Sequence, residues 1–312
     1  MAAIGVRPLS LPRKPRINLA LLSMLIPGVI ALIVFSYLPM FGIIIAFKDI
    51  NYAKGILGSN WIGLKNFAFL FKSPDAWTIT RNVVLYNLAF IVLGTICSVA
   101  AAIALDRMRS RVAGRVYQAV MFLPYFLSWI VVATLVFSFL SVDLGFINRQ
   151  ILTPLGMKQV NWYIEPKIWP FILVCVNLWR YTGYNSVIYL ASIAGIDPTY
   201  HEAASVDGAT GWQQIRHITL PLLSPVVIIL TLLAIGRIFF GDIGLFLQVP
   251  MNMGPLFPTT NVIDTYVYRT LINMGDIGMS SAAGLYQSVV GFVLVLASNL
   301  VVRRIDPDKS LF

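Results

Sequence analysis

Charge is scarce in this sequence. Asp, Glu, Lys and Arg make up only 12% of its 312 residues, against about 25% in an ordinary soluble domain. That deficit excludes a soluble globular fold of this length. Acids are the rarer sign, 13 against 23 basic residues, and the interiors of the long apolar runs hold essentially none. An ion-coupled carrier would need intramembrane carboxylates to bind H⁺ or Na⁺. Histidine and cysteine number two each, without metal-ligand spacing. Cys97 and Cys175 both lie in apolar runs and read as small packing residues rather than as a disulfide. A nucleotide-binding loop is also missing. The nearest stretch, "GSNWIGLK" (Gly58 to Lys65), has Leu64 where the phosphate-binding Lys must directly follow the Gly. Energy for any active process must therefore come from another chain. Without paired acids, a metal cluster or a nucleophile elbow, an intramembrane enzyme has nothing to act through.

What fills the chain is hydrophobic: 58% of residues, with a mean hydropathy of +0.80. Spanning a bilayer takes about 20 apolar residues at 1.5 Å each. Runs of that kind lie near 19–46, 81–104, 116–141, 168–194, 219–240 and 282–302. The expected fold is all-α, a polytopic membrane protein of six transmembrane helices. Its parts are a basic leader 1–18, a six-span domain 19–302 and a tail 303–312. The first run follows Arg7, Arg13, Lys14 and Arg16, is too long for a signal peptide and lacks a small-x-small cleavage site, so it reads as an uncleaved span. Pro27 and Pro39 are expected to kink it or end it early. A net charge of +10 would suggest nucleic acid in a soluble protein. Here the basic residues gather at the ends of apolar runs, and no nucleic acid is expected. Segments 1–18, 105–115, 195–218 and 303–312 carry Lys and Arg at more than twice the density of 47–80, 142–167 and 241–281, which favours N-in and C-in. In the largest outer loop, 241–281, "VIDTYVYRTLINMG" is compatible with a short helix along the outer membrane surface.

Between the fourth and fifth runs the chain turns polar: "HEAASVDGATGWQQIRHITLPLL", His201 to Leu223. A connector needs a handful of residues; segment 195–218 uses 24. The stretch reads as two short helices. Thr199 as N-cap with Glu202 at the third helical position would form a capping box for the first, and Asp207-Gly208 breaks it. "GWQQIRHI" forms the second and leads to Leu220-Pro221, where the fifth span starts. A zinc site fails, because "HEAAS" has Ser205 where the second His of H-E-x-x-H must stand. A capping role alone for Glu202 is the bland alternative.

The spacing here is Glu202-Ala203-Ala204, three residues, Gly208, nine residues, Ile218-Thr219-Leu220-Pro221. It resembles the cytoplasmic E-A-A motif of the inner-membrane subunits of binding-protein-dependent ATP-binding-cassette importers, and every fixed position matches. The resemblance implies the type I importer permease fold with a cytoplasmic coupling-helix loop that docks into a cleft on a separate ATPase. Glu202, Ala203, Ala204, Asp207, Gly208, Leu220 and Pro221 would form the coupling element. Glu202 would pair with a basic group on the ATPase, and Gly208 would let the chain turn inside the cleft. The resemblance also implies no cofactor in this chain, with ATP and Mg on the partner ATPase. The implied partners are a second six-span permease subunit, two ATPase subunits, an extracytoplasmic solute-binding protein, a saccharide substrate and the lipid of a bacterial inner membrane. "YLPMFGIIIAFKDIN" (Tyr37 to Asn51) and "GLKNFAFLF" (Gly63 to Phe71) are similar to the carbohydrate-uptake branch, and within it to the group serving complex polysaccharides and acidic oligosaccharides such as alginate. The alternatives are the same architecture importing another solute, such as an amino acid, or an ion-coupled secondary transporter.

Ionisable groups inside spans are costly and point to function by default. Arg180 lies about 18 Å into the fourth span at helical rise, near the midplane. Asn177, Arg180, Tyr181 and Tyr184 follow i, i+3, i+4, i+7, and Asn185 is adjacent. Aromatic rings stack on sugars, amides and Arg bond hydroxyls or carboxylates, and transporters keep their sites near the midplane. These five residues and Arg237, in the outer half of the fifth span, are the substrate-binding candidates. Two alternatives stand beside them. Arg180 pairs with an acid or a carbonyl on a neighbouring span and only holds the bundle, and Arg237 forms a local pair with Asp242 or snorkels. Tyr86 and Asn87 could line the path or pack. Arg107, Arg109, Arg111 and Arg115 are first a topology signal and second a contact for anionic lipid or the ATPase.

Overall fold

A computed structural model describes residues 19–68 and 74–307. The leader 1–18, residues 69–73 (the end of "GLKNFAFLF" among them) and residues 308–312 of the tail lie outside the described residues. Helix α1 (Leu19–Leu32) passes through Pro27 without ending. It continues as a π turn (Ile33–Tyr37) and a 3₁₀ run (Leu38–Phe47). Pro39 stands at the start of that run, where a missing N–H is tolerated. Neither proline shortens the span. A two-residue antiparallel pair follows, β1 (Lys48–Asp49) against β2 (Asn60–Trp61), with Lys48 opposite Trp61.

The remaining helices are α2 (Pro74–Asp106), α3 (Arg111–Phe122), α4 (Trp129–Leu140), α5 (Trp169–Ala194), α6 (Pro198–Val206), α7 (Gly211–Gln214), α8 (Leu220–Ile235), α9 (Ile263–Met274) and α10 (Ile277–Ile305). Four helical segments among the described residues are long and apolar enough to cross a membrane: Leu22–Phe47, Asp75–Asp106, Gly211–Ile235 and Ile277–Arg304. The third run of the sequence is not one straight span. Arg111–Phe126 and Trp129–Leu140 meet at a bend of 100°. Pro124 lies in a 3₁₀ turn, Leu127 is extended, and Ser128 restarts the helix by accepting the Val131 N–H. The fourth run is α5. It has the length to span, 26 residues, but its polar middle makes it less apolar than the others. Its partner is α2, with which it forms the most extensive helix pair.

Gly183 explains the close approach of α5 to α3. A methyl group there would overlap the Met121 carbonyl, so only hydrogen fits. The fully buried core joins Ile79 and Val83 of α2 to Trp169 and Leu173 of α5, and to Leu245, Val249, Leu256, Val262 and Ile263. The last five show that segment 241–281 is not a loop lying apart from the fold. Its apolar pieces are each too short for a span, yet they pack into the centre of the fold. The helix expected there forms as α9, ended by Gly275 in the left-handed conformation, but Ile263 and Thr265 are fully buried rather than laid on a surface. Both cysteines are free thiols, and Cys175 is exposed, so it does not pack within this chain as expected.

Candidate functional site

Helices α2, α5 and α8, with the chain that follows α8, surround a cavity of about 700 Å³, within the roughly 300–1,000 Å³ usual for small-molecule sites. Its polar lining is Asn87, Thr95 and Ser98 from α2, Asn177, Tyr181, Thr182 and Asn185 from α5, and Thr231, Arg237 and Asp242 from α8 and beyond. The α5 liners recur at i, i+4 and i+8, one stripe of a helix. Asn87 fixes the wall opposite. Its amide donates to the carbonyls of Ile238 at 2.9 Å and Phe240 at 3.1 Å, satisfying backbone left open where α8 ends. Tyr86, its neighbour, packs on Phe246 and donates to the Thr259 carbonyl at 2.9 Å, so it belongs to the core.

Of the six substrate-binding candidates, the structure brings Asn177, Tyr181, Asn185 and Arg237 to the cavity. Arg180 and Tyr184 are not part of its lining. One residue is a 100° step on an α-helix, and that step turns Arg180 away from Tyr181 toward the α3–α4 bend. Its guanidinium donates to the Leu127 carbonyl and lies 4.2 Å from the centre of the Trp129 ring. Tyr184 stacks on Tyr125 at 4.0 Å. The face read as one thus divides into a cavity stripe and a packing stripe.

Asp242 is the site residue that the sequence hid. It stands in segment 241–281, beyond the end of α8, and reaches the Tyr181 hydroxyl at 3.0 Å and the Trp129 indole N–H at 3.1 Å. Its other oxygen accepts the Gly244 N–H at 2.9 Å and the Leu245 N–H at 3.4 Å, starting a helical turn. The local Arg237–Asp242 pair that the spacing allows is not formed. Behind the wall, Asp264 accepts the Gly241 N–H at 2.6 Å and the Gln287 amide at 3.1 Å. Burial raises the Asp264 pKa, and those two donors oppose the rise.

The polar loop folds as a helix, a turn and a second helix. The N-cap of α6 is Asp197, not Thr199. Its carboxylate accepts the Thr199 N–H at 3.0 Å, with Pro198 in the first helical position. That hydrogen bond holds the Asp197 pKa below the usual carboxylate range. Glu202 is therefore released from capping and stands exposed, as do Ala203, Asp207 and Gly208, with Ala204 half-buried. Gly208 takes φ +80°, a conformation open to glycine. The capping box belongs to α7 instead, between Thr210 and Gln213. The second helix is not short: α7, a π turn (Ile215–Thr219) and α8 form one helix from Gly211 to Ile235. The π turn bonds Leu220 N–H to the Ile215 carbonyl, just before Pro221, which has no N–H to offer. Leu220 and Pro221 are exposed on this helix. Gln214 is buried beneath the loop. Its amide donates to Ser205 Oγ at 3.0 Å, and its carbonyl accepts from Arg107 at 3.2 Å. Among the described residues no cluster of His, Cys, Asp or Glu could hold a metal ion.

Apolar helices crossing a membrane around a polar cavity, with a structured loop at the end of the cavity helices, define a membrane-embedded transport subunit. The chain belongs to the family described as binding-protein-dependent transport system inner membrane components, which matches residues 91–307. Members are multi-pass membrane components that work with partner subunits and are not enzymes. The chain is 33% identical to protein LplB of Bacillus subtilis (strain 168), over 91% of this chain and 89% of that one. It is also 33% identical to the polygalacturonan/rhamnogalacturonan transport system permease protein YteP of the same organism, over 91% and 88%. Among solved structures it resembles a chain of a bacterial alginate ABC transporter in complex with an alginate pentasaccharide-bound periplasmic protein. That likeness has a TM-score of 0.82, 31% identity, and coverage of 92% of this chain and 95% of that chain.

Proposed function

We propose that this chain is one membrane half of an ATP-driven importer and forms the path for an oligo- or polysaccharide by alternating access. The carrying observation is the cavity itself, where the amides of Asn177 and Asn185 and the rings of Tyr181 and Phe240 share one wall system. Amides bond sugar hydroxyls and rings stack on sugar faces. Relatives and structural neighbours named for polysaccharide transport support the substrate class. In this reading Glu202 to Gly208 docks into a partner ATPase that holds ATP and Mg, Leu220 and Pro221 carry that motion into α8, and the loop is cytoplasmic. A solute-binding protein delivers the saccharide from outside, and a second permease subunit completes the path. The N- and C-termini are cytoplasmic in this reading, the side that the Lys and Arg distribution favours.

The test is uptake into vesicles holding the complete transporter. Saccharide should accumulate only with ATP inside and binding protein outside. Accumulation driven by a proton or sodium gradient without ATP would overturn the reading.

A further inference from the structure

We infer that Asp242 is a positioning residue: its carboxylate holds the Tyr181 phenol at the angle from which the cavity wall meets the saccharide. The inference rests on the saccharide reading above and adds the group that sets the geometry of that wall. Tyr181 lines the cavity and is half-buried, and its hydroxyl donates to Asp242 Oδ2 at 3.0 Å. The same oxygen accepts the Trp129 indole N–H at 3.1 Å. Oδ1 accepts the Gly244 and Leu245 N–H groups at 2.9 and 3.4 Å. One carboxylate thus joins α4, α5 and the turn beyond α8. That turn is a firm anchor, because Leu245 and Phe246 are buried in the core. A methyl group at Gly244 would overlap the Trp129 ring, so the indole lies against the backbone of the turn and its N–H is held in place.

The start of a helical turn needs only one acceptor oxygen, and asparagine, serine or threonine would serve it as well. The second oxygen is what calls for aspartate. An ionised carboxylate accepts on both oxygens, whereas an amide accepts on one and donates on the other. In Asp242→Asn the amide can accept at the turn, but its NH₂ then meets the indole N–H, a donor that cannot reverse. Anchoring the far end of a phenol fixes both torsions of its side chain, so less freedom is lost when a ligand packs on the ring. Without that anchor Tyr181 keeps only its ring contacts with Tyr125 at 5.9 Å and Trp129 at 6.4 Å. Arg180 stands 4.2 Å from the centre of the Trp129 ring and 5.8 Å from that of Tyr181. Loss of the Asp242 charge therefore also reaches Arg180, a second route that a double-variant comparison separates from the first.

The experiment measures uptake against saccharide concentration in vesicles holding the complete transporter, with oligogalacturonate and a neutral galacto-oligosaccharide as probes. Asp242→Asn and Tyr181→Phe should each raise KM for the transported probe about tenfold, the worth of a charged hydrogen bond, and change kcat far less. The double variant should match the single ones, since both remove the same anchor. A double variant near 100-fold, or a fall in kcat at unchanged KM, means that Asp242 acts through Arg180 or through the turn alone and overturns the proposal. If Asp242→Asn fails to assemble, Tyr181→Phe decides, because it removes only the hydroxyl. A wild-type KM for Tyr181→Phe overturns the positioning role and leaves the saccharide reading standing. Uptake of neither probe by the wild type overturns both.

Discussion

At the scale of single residues, Arg180 sits in a packing role. It is 9% exposed, and its contacts are a carbonyl and a ring of the α3–α4 bend. Arg180→Ala should lower thermal stability by about 1.5–3 kcal/mol, the range for a charged hydrogen bond, and should reduce all transport in proportion to assembled complex. Thermal unfolding followed by size exclusion checks this; a loss of acidic-sugar uptake at unchanged stability would return Arg180 to the site. Gly183→Ala should cost about 1–3 kcal/mol by overpacking against Met121, read by the same assay. Asp264 contributes a pH dependence. Burial raises its pKa in the fold, so the folded state holds the proton more tightly than the unfolded chain. Its contribution is fully present below the unfolded value of about 3.9 and is lost as pH rises through the folded value. Stability should therefore fall with rising pH over that window. Asp264→Asn should flatten the dependence, measured as melting temperature against pH.

At the scale of elements, the polar loop proposed to dock on the ATPase is braced against α2. Gln214 ties Ser205 of α6 to Arg107 just past the end of α2, and α2 carries Asn87 and Ser98 to the cavity. Glu202→Ala or Gly208→Trp should leave the protein inserted but cut substrate-stimulated ATP hydrolysis by about tenfold. The loop itself should survive Glu202→Ala, because its caps are Asp197 and Thr210. Normal hydrolysis and wild-type copurification of the ATPase with Gly208→Trp would refute docking at this turn.

At the scale of the whole molecule, four apolar helices, a bent pair and α5 arrange themselves so that one polar wall faces inward. The charge bias predicts that a reporter fused at Thr210 lies in the cytoplasm and one at Met253 lies outside. Activity of both fusions on the same side would contradict that topology.

The sequence by itself determined the class of fold and the order of the long apolar helices, and it set the polar segment 195–218 apart, because each depends on local quantities: hydropathy over a span, or residue types at fixed spacing. The cavity stripe of α5, Asn177, Tyr181 and Asn185, is related by helical geometry alone, but the i, i+3, i+4, i+7 pattern read from the sequence mixed it with Arg180 and Tyr184. Tertiary structure decided the rest. Whether Arg180 faced the cavity depended on a single 100° step relative to α2 and α3, which no periodicity in α5 specifies. Asp197 prevailed over Thr199 as cap because Pro198 suits the first helical turn, a local signal that was present and was outweighed by the Glu202 pattern. Asp242 and the core residues from Leu245 to Ile263 were hidden because burial there comes from long-range packing of pieces too short to register as spans.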